Sequence, residues 1–189
     1  MTRLDDLTIE IFEGQEYRFP IEIGCGISSI VYAISDEFVI KIPRVSPSYV
    51  IPKVDDFFLG PIVEELEAEF EIQRQLYEGD ISVPKPEGIF ACTFPIFGFI
   101  PSRRRRVGLV MERLYGVNGG VNSSLTIVER VSIYKRMGAE LEKAKSLGFE
   151  YGDACLHNCM YSKELDKLWL IDFSHWELPK TNEARYNAI

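Results

Sequence analysis

The sequence predicts an α+β fold in which a five-stranded antiparallel sheet with one helix comes first and a smaller, mainly helical part follows. Three observations predict it: strand signals dominate the first part, an amphipathic helical pattern interrupts them at 62–77, and a second helical pattern begins at Thr126. A linker rich in Gly, Asn and Ser, LYGVNGGVNSSL, separates the two parts. We therefore expect one domain over 1–189, divided into 1–114 and 115–189.

Composition and charge set broad limits on function. The 189 residues are 46% hydrophobic and 26% charged, which is typical of a globular protein with a sizeable core. A formal net charge of −8 argues against a surface built throughout to bind phosphate backbones. The first thirty residues have no long apolar stretch, so we expect no signal peptide, no membrane-spanning helix, no membrane partner and a cytoplasmic location. Free thiols are expected at Cys25, Cys92, Cys155 and Cys159.

The strands of the first part are predicted from short runs rich in β-branched and aromatic residues. YRFPIEI, SSIVYAI and FVIKI form a meander over 17–42, and GIFACTF with VGLVMERL forms a hairpin around Arg103–Arg106. The helix at 62–77 lies between them, and its spacing predicts one buried face made of Val63, Leu66, Phe70, Gln73 and Tyr77.

The second part is predicted to open on a helix and to continue with two short strands. Thr126 and Glu129 form a capping box, and the helix should run to Leu147, with Gly148 as its stop. Strands are expected at 159–162 and 168–172. The predicted core face of the helix comprises Val131, Tyr134, Gly138, Leu141 and either Ala144 or Lys145.

A glycine turn and a lysine in an apolar strand form the first candidate site. Gly24 and Gly26 would let a phosphate approach the backbone, and the small Ser29 keeps the turn open, although a plain hairpin turn explains them about as well. Lys41 lies between isoleucines, so its ammonium needs a partner unless it reaches solvent. The following helix offers three carboxylates, those of Glu67, Glu69 and Glu71.

Two acids and an asparagine form the second candidate site, at Asp153, Asn158 and Asp172. Asp172 follows an apolar strand, where a bare carboxylate would be costly to bury. Mg²⁺ prefers oxygen ligands and takes one or two from protein, the rest from phosphates and water. Asn158 and Asp172 are therefore candidate magnesium ligands, which leaves Asp153 to accept a proton.

A zinc site is the alternative for the same segment, because Cys155, His157 and Cys159 lie within five residues. Structural zinc normally takes four ligands from two separated clusters, and the sequence offers one. We therefore expect His157 to be a loop residue and no zinc to bind.

The order GxGxxSxV, VIK, helix Glu, VMER, DxxxxN and DFS resembles the protein-kinase superfamily over roughly residues 17–175. The resemblance implies a bilobal fold, with 1–114 as the N-lobe and hinge and 115–189 as a reduced C-lobe, and it implies ATP and Mg²⁺ as cofactors. It makes Gly24, Gly26 and Ser29 the glycine-rich loop. Lys41 becomes the lysine that holds the α- and β-phosphates, with Glu69 as its helix partner and Glu71 as the fallback.

The same resemblance assigns the remaining roles. Val31, Val39 and Met160 would enclose the adenine, with Met111 as the gatekeeper and Glu112 to Leu114 as the hinge whose backbone reads the base. Asp153 would orient or deprotonate the acceptor, while Asn158 and Asp172 would hold magnesium.

The sequence also departs from the family pattern. Tyr151 and Ser174 replace the usual His and the last Gly of the DFG motif, and Cys155 stands where serine/threonine kinases have a lysine that pairs with the γ-phosphate. Only fifteen residues follow Ser174, so we expect neither an activation segment nor the later helices. In this the chain resembles minimal kinases such as the small kinase/ATPase of the KEOPS complex and, more loosely, the RIO kinases.

These observations lead to a ranked set of hypotheses. The first is an atypical protein serine/threonine kinase that can phosphorylate itself, followed by an ATPase that switches a partner complex and by a nucleotide-binding pseudokinase scaffold. A small-molecule kinase ranks last among the enzymes, because the chain leaves little room for substrate-binding helices. A protein substrate or partner complex is therefore expected. Nucleic acid would bind only through Arg103–Arg106, whose alternative interpretation is a solvated hairpin tip.

Overall fold

A computed structural model describes residues 21–26, 28–44, 59–93, 105–120 and 125–179. Two compact units emerge: one comprises the described residues up to Phe70 with Lys85–Arg113, and the other comprises Glu71–Pro84 with the described residues from Leu114 onward. The chain is α+β, with a five-stranded antiparallel sheet and two α-helices in its described part. None of the helices in these ranges is long and apolar enough to cross a membrane.

The first unit is built on the five-stranded sheet, whose strand order is β1-β2-β3-β5-β4. All four neighbouring pairs are antiparallel, as the alternating apolar runs predict. One helix, α1, precedes the last hairpin and extends over Leu59–Glu78. The strands are β1 (Ile21–Cys25), β2 (Ser29–Ala33), β3 (Phe38–Pro43), β4 (Pro86–Thr93) and β5 (Arg105–Glu112).

The two faces of this sheet bury different side chains. On one face Leu66 of α1 packs with Val107 and Leu109, and on the other Ile40 and Val110 belong to a second apolar cluster. Alternate residues of a strand point to opposite faces, so the central strand β3 contributes to both. This alternation decides where Lys41 points, because its neighbours Ile40 and Ile42 belong to the second face.

Helix α1 confirms the predicted face in part. Leu66 and Gln73 are buried, and Gln73 donates from Nε2 to the carbonyl of Pro84 at 2.7 Å. Tyr77 was predicted to be buried and is 44% exposed, so that prediction is wrong. The physical reason is that Ile72 and Leu76, one position away around the helix, fill the core of the second unit instead.

The second unit combines a long helix with five short strands. Helix α2 spans Ile127–Ser146, and a single 3-10 turn covers Leu156–Asn158. One sheet has the order β6-β8-β9, and β7 pairs with β10 in a second, two-stranded sheet. The strands are β6 (Val117–Asn118), β7 (Glu150–Tyr151), β8 (Cys159–Ser162), β9 (Lys167–Leu170) and β10 (Trp176–Glu177).

Helix α2 confirms the predicted buried face in part. Ile133 and Met137 lie in the core together with Leu141 and Ala144, which the prediction had included. Val131 and Tyr134 were predicted to be buried but are 50% and 61% exposed. Two apolar stripes run along this helix at helical spacing, and the fold buries the one centred on Met137.

The ends of α2 follow the prediction closely. Thr126 accepts from the Glu129 N–H through its hydroxyl at 3.3 Å, and Glu129 Oε2 accepts from the Thr126 N–H at 2.7 Å, so the capping box is complete. Gly148 follows the helix with a φ of +92°, a conformation that favours glycine.

Other predicted boundaries differ by a few residues or lie outside the described chain. Strand β9 ends at Leu170, two residues earlier than predicted, because the Ile171 N–H leaves the ladder and donates to the carbonyl of Asn158 at 2.9 Å. The start of the first predicted strand, at 17–20, lies outside the described residues. So do Arg103 and Arg104. Arg105 and Arg106 were predicted to lie in the hairpin loop and instead begin β5, where they pair with Thr93 and Cys92. The nucleic-acid contact of Arg103–Arg106 stays a prediction.

We expect the α2 capping box to make folding stability fall as the pH is lowered below about 4.5. Hydrogen bonds from Lys163, at 2.5 Å, and from Thr126 lower the pKa of Glu129 from 4.5 to about 2. A carboxyl whose pKa is depressed in the folded state contributes stability above pH 4.5, and that contribution is lost as pH falls towards 2. Urea unfolding across this range should therefore show a shallower loss of stability in Glu129→Gln than in the native chain. Glu142→Gln, on the exposed side of the same helix, is the control, and equal slopes for all three proteins would contradict the prediction.

Candidate functional site

A buried ion pair lies at the centre of the first unit. Lys41 Nζ donates to Glu69 Oε1 at 2.6 Å, and the two residues are only 8% and 7% exposed. Ile40 and Ile42 pack on the other face of β3, so Lys41 points to the face that α1 covers. Glu69 lies between Leu66 and Phe70, which pack on that same face, and the carboxylate therefore reaches the ammonium.

The other two candidate carboxylates do not fill this position. Glu67 is exposed, and Glu71 lies in the second unit, where it binds Arg74 through two hydrogen bonds of 2.6 and 3.0 Å. Hydrogen bonding from Arg74 also lowers the pKa of Glu71. The structure thus pairs Lys41 with Glu69, the partner that the protein-kinase resemblance implied. The fallback partner, Glu71, binds Arg74 instead.

Several predicted nucleotide-binding residues lie beside Lys41 on the same sheet face. Val31 is directly opposite Lys41 in the β2–β3 pair, and Gly24 is opposite Val31 in the β1–β2 pair. Two residues along β3, Val39 is directly opposite Met111 of β5. Directly opposite residues share a face of the sheet, so these side chains form one continuous patch around the ammonium.

The glycines of the turn are not required by the packing of the chain itself. A Cβ on Gly24 would meet Val31 Cβ at 3.7 Å and one on Gly26 would meet the carbonyl of Ser29 at 3.6 Å, both ordinary contacts. Ser29 is buried, and its carbonyl accepts from the Gly26 N–H at 2.9 Å. The described packing therefore leaves room for a side chain at both positions, and the phosphate-covering role of the two glycines stays a prediction.

Sequence reasoning missed a cation at this turn. Arg44 follows β3, its backbone N–H donates to the Ser28 carbonyl at 2.7 Å, and its guanidinium donates to Cys25 Sγ between the two glycines. The only available signal was its position three residues after Lys41. A guanidinium has five donors, so the contact with one thiol leaves donors for an anion.

The contacts of the predicted hinge residues, Glu112 to Leu114, and of Met160 do not by themselves indicate a nucleotide site. The N–H groups of Glu112 and Arg113 donate to the carbonyls of Lys85 and Glu37, at 2.9 and 2.7 Å. Those two donors are engaged within the first unit, so adenine recognition by this segment stays a prediction, as it does for Leu114. Met160 of β8 is half-buried in the second unit and lies opposite Trp169.

The second unit brings Asp153 and Asn158 into direct contact. Asn158 Nδ2 donates to the backbone carbonyl of Asp153 at 3.0 Å and to its Oδ2 at 3.2 Å. The 3-10 turn closes this loop, because the Asn158 N–H donates to the carbonyl of Cys155 at 2.9 Å. The carbonyl of Asn158 in turn accepts from Ile171, the residue before Asp172.

These residues fit a magnesium ion on the chemistry of their donors. Both bonds of the Asn158 amide run through Nδ2, so its oxygen is directed away from Asp153. Asp172 has a φ of +65°, a strained backbone conformation that sets its carboxylate outside the ladder of β9, and Ser174 donates to its Oδ1 at 3.0 Å. One amide and one carboxylate oxygen are what Mg²⁺ takes from protein when phosphates and water complete its shell.

The alternative zinc site concerns Cys155, His157 and Cys159. In the described ranges no three His, Cys, Asp or Glu residues are grouped to hold an ion. Cys159 is buried with its thiol bonded to the Leu156 carbonyl at 3.2 Å, and burial raises the pKa of that thiol to about 11.

An open depression of about 540 Å³ adjoins Asp153. It arises where β10 pairs with β7, which places the residues after Asp172 against the Gly152–Asp153 loop. The sequence analysis assigned no site role to the residues after Asp172, because their position beside Asp153 depends on that strand pairing. The lining comprises Gly152, Asp153, Ser174, His175, Trp176 and Glu177.

Comparison with known proteins finds similarity to two kinases. Two curated proteins named 3-deoxy-D-manno-octulosonic acid kinase, from Vibrio vulnificus strains YJ016 and CMCP6, are each 26% identical to this chain over 110 residues. The match covers 56% of this chain and 42% of each relative, so less than half the relatives' length is represented. No family model matches the sequence.

Removing one member of the buried Lys41–Glu69 pair should lower the free energy of unfolding more than removing both members together. Glu69→Leu leaves the Lys41 ammonium in a desolvated position without its 2.6 Å partner, and we expect a loss of about 3 kcal/mol in the free energy of unfolding. The double variant Lys41→Met/Glu69→Leu should recover most of that loss. Chemical denaturation measures both values, with Glu71→Leu on the same helix as the control for an exposed pair. Equal losses in the two Glu→Leu variants would show that the buried pair is not desolvated.

Proposed function

We propose that this chain is a phosphotransferase that uses ATP and Mg²⁺ and transfers the γ-phosphoryl group to a hydroxyl group. The observation that carries the proposal is the buried Lys41–Glu69 pair at 2.6 Å within a patch that also contains Gly24, Val31 and Met111. A lysine held by a carboxylate beside bare glycine backbone is the arrangement that binds nucleotide phosphates in kinases. The kinase relatives support the same reaction class.

The first unit would bind the nucleotide. Lys41 neutralises phosphate oxygens, and Glu69 fixes its ammonium so that little side-chain entropy is lost on binding. Gly24 and Gly26 present backbone to the phosphates, and Arg44 adds a second positive charge at the turn. The apolar side chains of Val31, Val39 and Met111 suit an adenine ring. The roles that the kinase resemblance implies for Glu112, Leu114 and Met160 remain predictions.

The second unit would hold the metal and the acceptor. Asn158 and Asp172 provide the oxygens for Mg²⁺, which when bound neutralises charge on the transferred group. Asp153 accepts a hydrogen bond from the acceptor hydroxyl and orients it. The hydroxyl oxygen forms a bond to the γ-phosphorus while the bond to the bridging oxygen breaks. ADP leaves with that electron pair, and the hydroxyl proton passes to Asp153.

We propose a sugar-type small molecule as the acceptor. The relatives are named as kinases of a sugar acid, whereas neither they nor the geometry supports a protein serine or threonine acceptor or autophosphorylation. This reverses the order expected from the sequence, where small-molecule phosphorylation ranked last among the enzymes. That ranking relied on the expectation that substrate-binding helices are absent, which nothing tests. The open depression of about 540 Å³ beside Asp153 is the place where we propose that the acceptor binds.

Incubation with γ-labelled ATP, Mg²⁺ and a panel of sugars and sugar acids tests the proposal. We expect label in a small-molecule product and a loss of at least about 100-fold in rate for Asp172→Asn, which removes the charge but tolerates the positive φ. Asp80→Asn is a matched control, since Asp80 also has a positive φ, of 60°, and lies outside the site.

Other distributions of the label identify the rival functions. Label released only as free phosphate would indicate an ATPase, and label on protein would indicate a protein kinase. Nucleotide binding without turnover would indicate a scaffold. Equal rates for Asp172→Asn and Asp80→Asn would contradict the assigned role of Asp172.

A further inference from the structure

Ser174 departs from the kinase pattern, and its side chain contacts a residue that the proposed function uses. It stands where the DFG motif has its last Gly. Its Oγ donates a hydrogen bond of 3.0 Å to Oδ1 of Asp172, the candidate magnesium ligand two residues earlier. Glycine has no side chain and cannot make this contact. The serine therefore adds a hydrogen-bond donor directly beside the carboxylate.

The backbone on either side of Ser174 is held by other parts of the second unit. Phe173 is 2% exposed and belongs to the main apolar cluster of that unit. Its carbonyl accepts from the Trp176 N–H at 3.1 Å, and the His175 carbonyl accepts from the Gly152 N–H at 2.9 Å. Ser174 itself is exposed, so its fixed neighbours determine where its hydroxyl lies. A short side chain on a fixed backbone loses little entropy when it forms one hydrogen bond.

The backbone of Asp172 is fixed as well, so the orientation of its carboxylate depends on side-chain torsions. Its φ is +65°, and the preceding Ile171 N–H donates to the Asn158 carbonyl at 2.9 Å. The hydroxyl of Ser174 restricts those torsions, because a hydrogen bond to an ionised acceptor is stronger than one between neutral groups. A carboxylate has about four lone-pair sites, so one donor leaves acceptor sites for a cation.

We propose that Ser174 is a positioning residue, whose hydroxyl holds the Asp172 carboxylate in the orientation that binds Mg²⁺ together with Asn158. This inference rests on the proposed function and adds to it the residue that orients the metal ligand. Hydrogen bonds to metal-ligating carboxylates fix their geometry, and losing one typically weakens metal binding by about 10- to 100-fold. Because Ser174 is exposed to water, we expect an effect at the lower end of that range.

A blocking role for the same hydroxyl predicts a change of the opposite sign. If Ser174 and a metal ion compete for one oxygen of Asp172, the hydrogen bond must break before the ion binds. Removing the hydroxyl then strengthens metal binding. The direction of the change in metal affinity therefore distinguishes a positioning hydroxyl from a blocking one.

Mn²⁺ binding measures this affinity without turnover. It is followed by electron paramagnetic resonance with a saturating non-hydrolysable ATP analogue, and a protein-free sample accounts for Mn²⁺ bound to the analogue in solution. We expect Ser174→Ala to weaken Mn²⁺ binding by about tenfold and Ser174→Thr, which keeps a hydroxyl, to restore it to within about threefold of the native affinity. Ser146→Ala is the matched control and should bind Mn²⁺ as the native chain does. The Ser146 hydroxyl is also exposed and donates to the Lys143 carbonyl, at 2.6 Å, at the end of α2.

The labelled-ATP assay gives a second readout, which a merely structural role would not move in the same way. Ser174→Ala should raise the Mg²⁺ concentration for half-maximal rate by about tenfold and leave kcat at saturating Mg²⁺ within about twofold of the native value. A loss of kcat that saturating Mg²⁺ does not restore would contradict a role confined to orienting the metal ligand.

The Mn²⁺ and turnover measurements together keep this inference separate from the proposed function. Equal Mn²⁺ affinities for the native chain and Ser174→Ala, or tighter binding by Ser174→Ala, would overturn the positioning role, and turnover of labelled ATP would then leave the phosphotransferase intact. Weaker binding by Ser174→Ala without turnover in the native chain would support the positioning role and contradict the phosphotransferase. Absence of Mn²⁺ binding to the native chain would overturn both.

Discussion

Desolvation of one lysine is the constraint on which the first unit depends. β3 is the central strand of the sheet, and its alternation sends Lys41 to the face that α1 covers. An ammonium in that position requires a carboxylate, and Glu69 is the residue of α1 that reaches it. The pair therefore fixes the rotation of α1 on the sheet, with Leu66 and Phe70 against Leu109 and its neighbours. A buried ion pair contributes little net stability compared with apolar packing, so its presence favours a functional reason for the lysine.

In the second unit, backbone geometry determines where the two candidate carboxylates lie. Asp153 and Asp172 lie where the chain leaves regular structure: the first precedes the 3-10 turn and the second has a positive φ after β9. The strained conformation of Asp172 persists because neighbouring contacts hold it, among them the hydrogen bond from the Ile171 N–H to the Asn158 carbonyl. Asp153 is held by its contacts with Asn158 and by the adjoining β7–β10 pairing. Asp153 is exposed and Asp172 is half-buried, whereas Leu168, Trp169 and Leu170 of the preceding strand are buried.

The parts predictable from sequence are those with local causes. The capping box of Thr126 and Glu129 and the glycine stop at Gly148 follow from spacing within short segments. The apolar surroundings of Lys41 in its own strand predict that it needs a carboxylate partner, although that partner lies 28 residues away on α1. The buried face of α2 did not follow, since one stripe includes Val131 and Tyr134 and the other Ile133 and Met137, and only tertiary packing chooses between them. The Asp153 depression depends on the pairing of two-residue strands, which have no periodic signal.

A measurement of nucleotide binding tests most directly whether Lys41 has a functional role or only a structural one. Calorimetric titration of Mg²⁺-ATP would be performed on the native chain and on Lys41→Met/Glu69→Leu, which should fold with near-native stability because both charges are removed together. The account predicts binding to the native chain and a loss of at least about tenfold in affinity for the double variant, since Lys41 is assigned to the phosphates. Equal affinity in the two proteins, or no binding to the native chain, would contradict it.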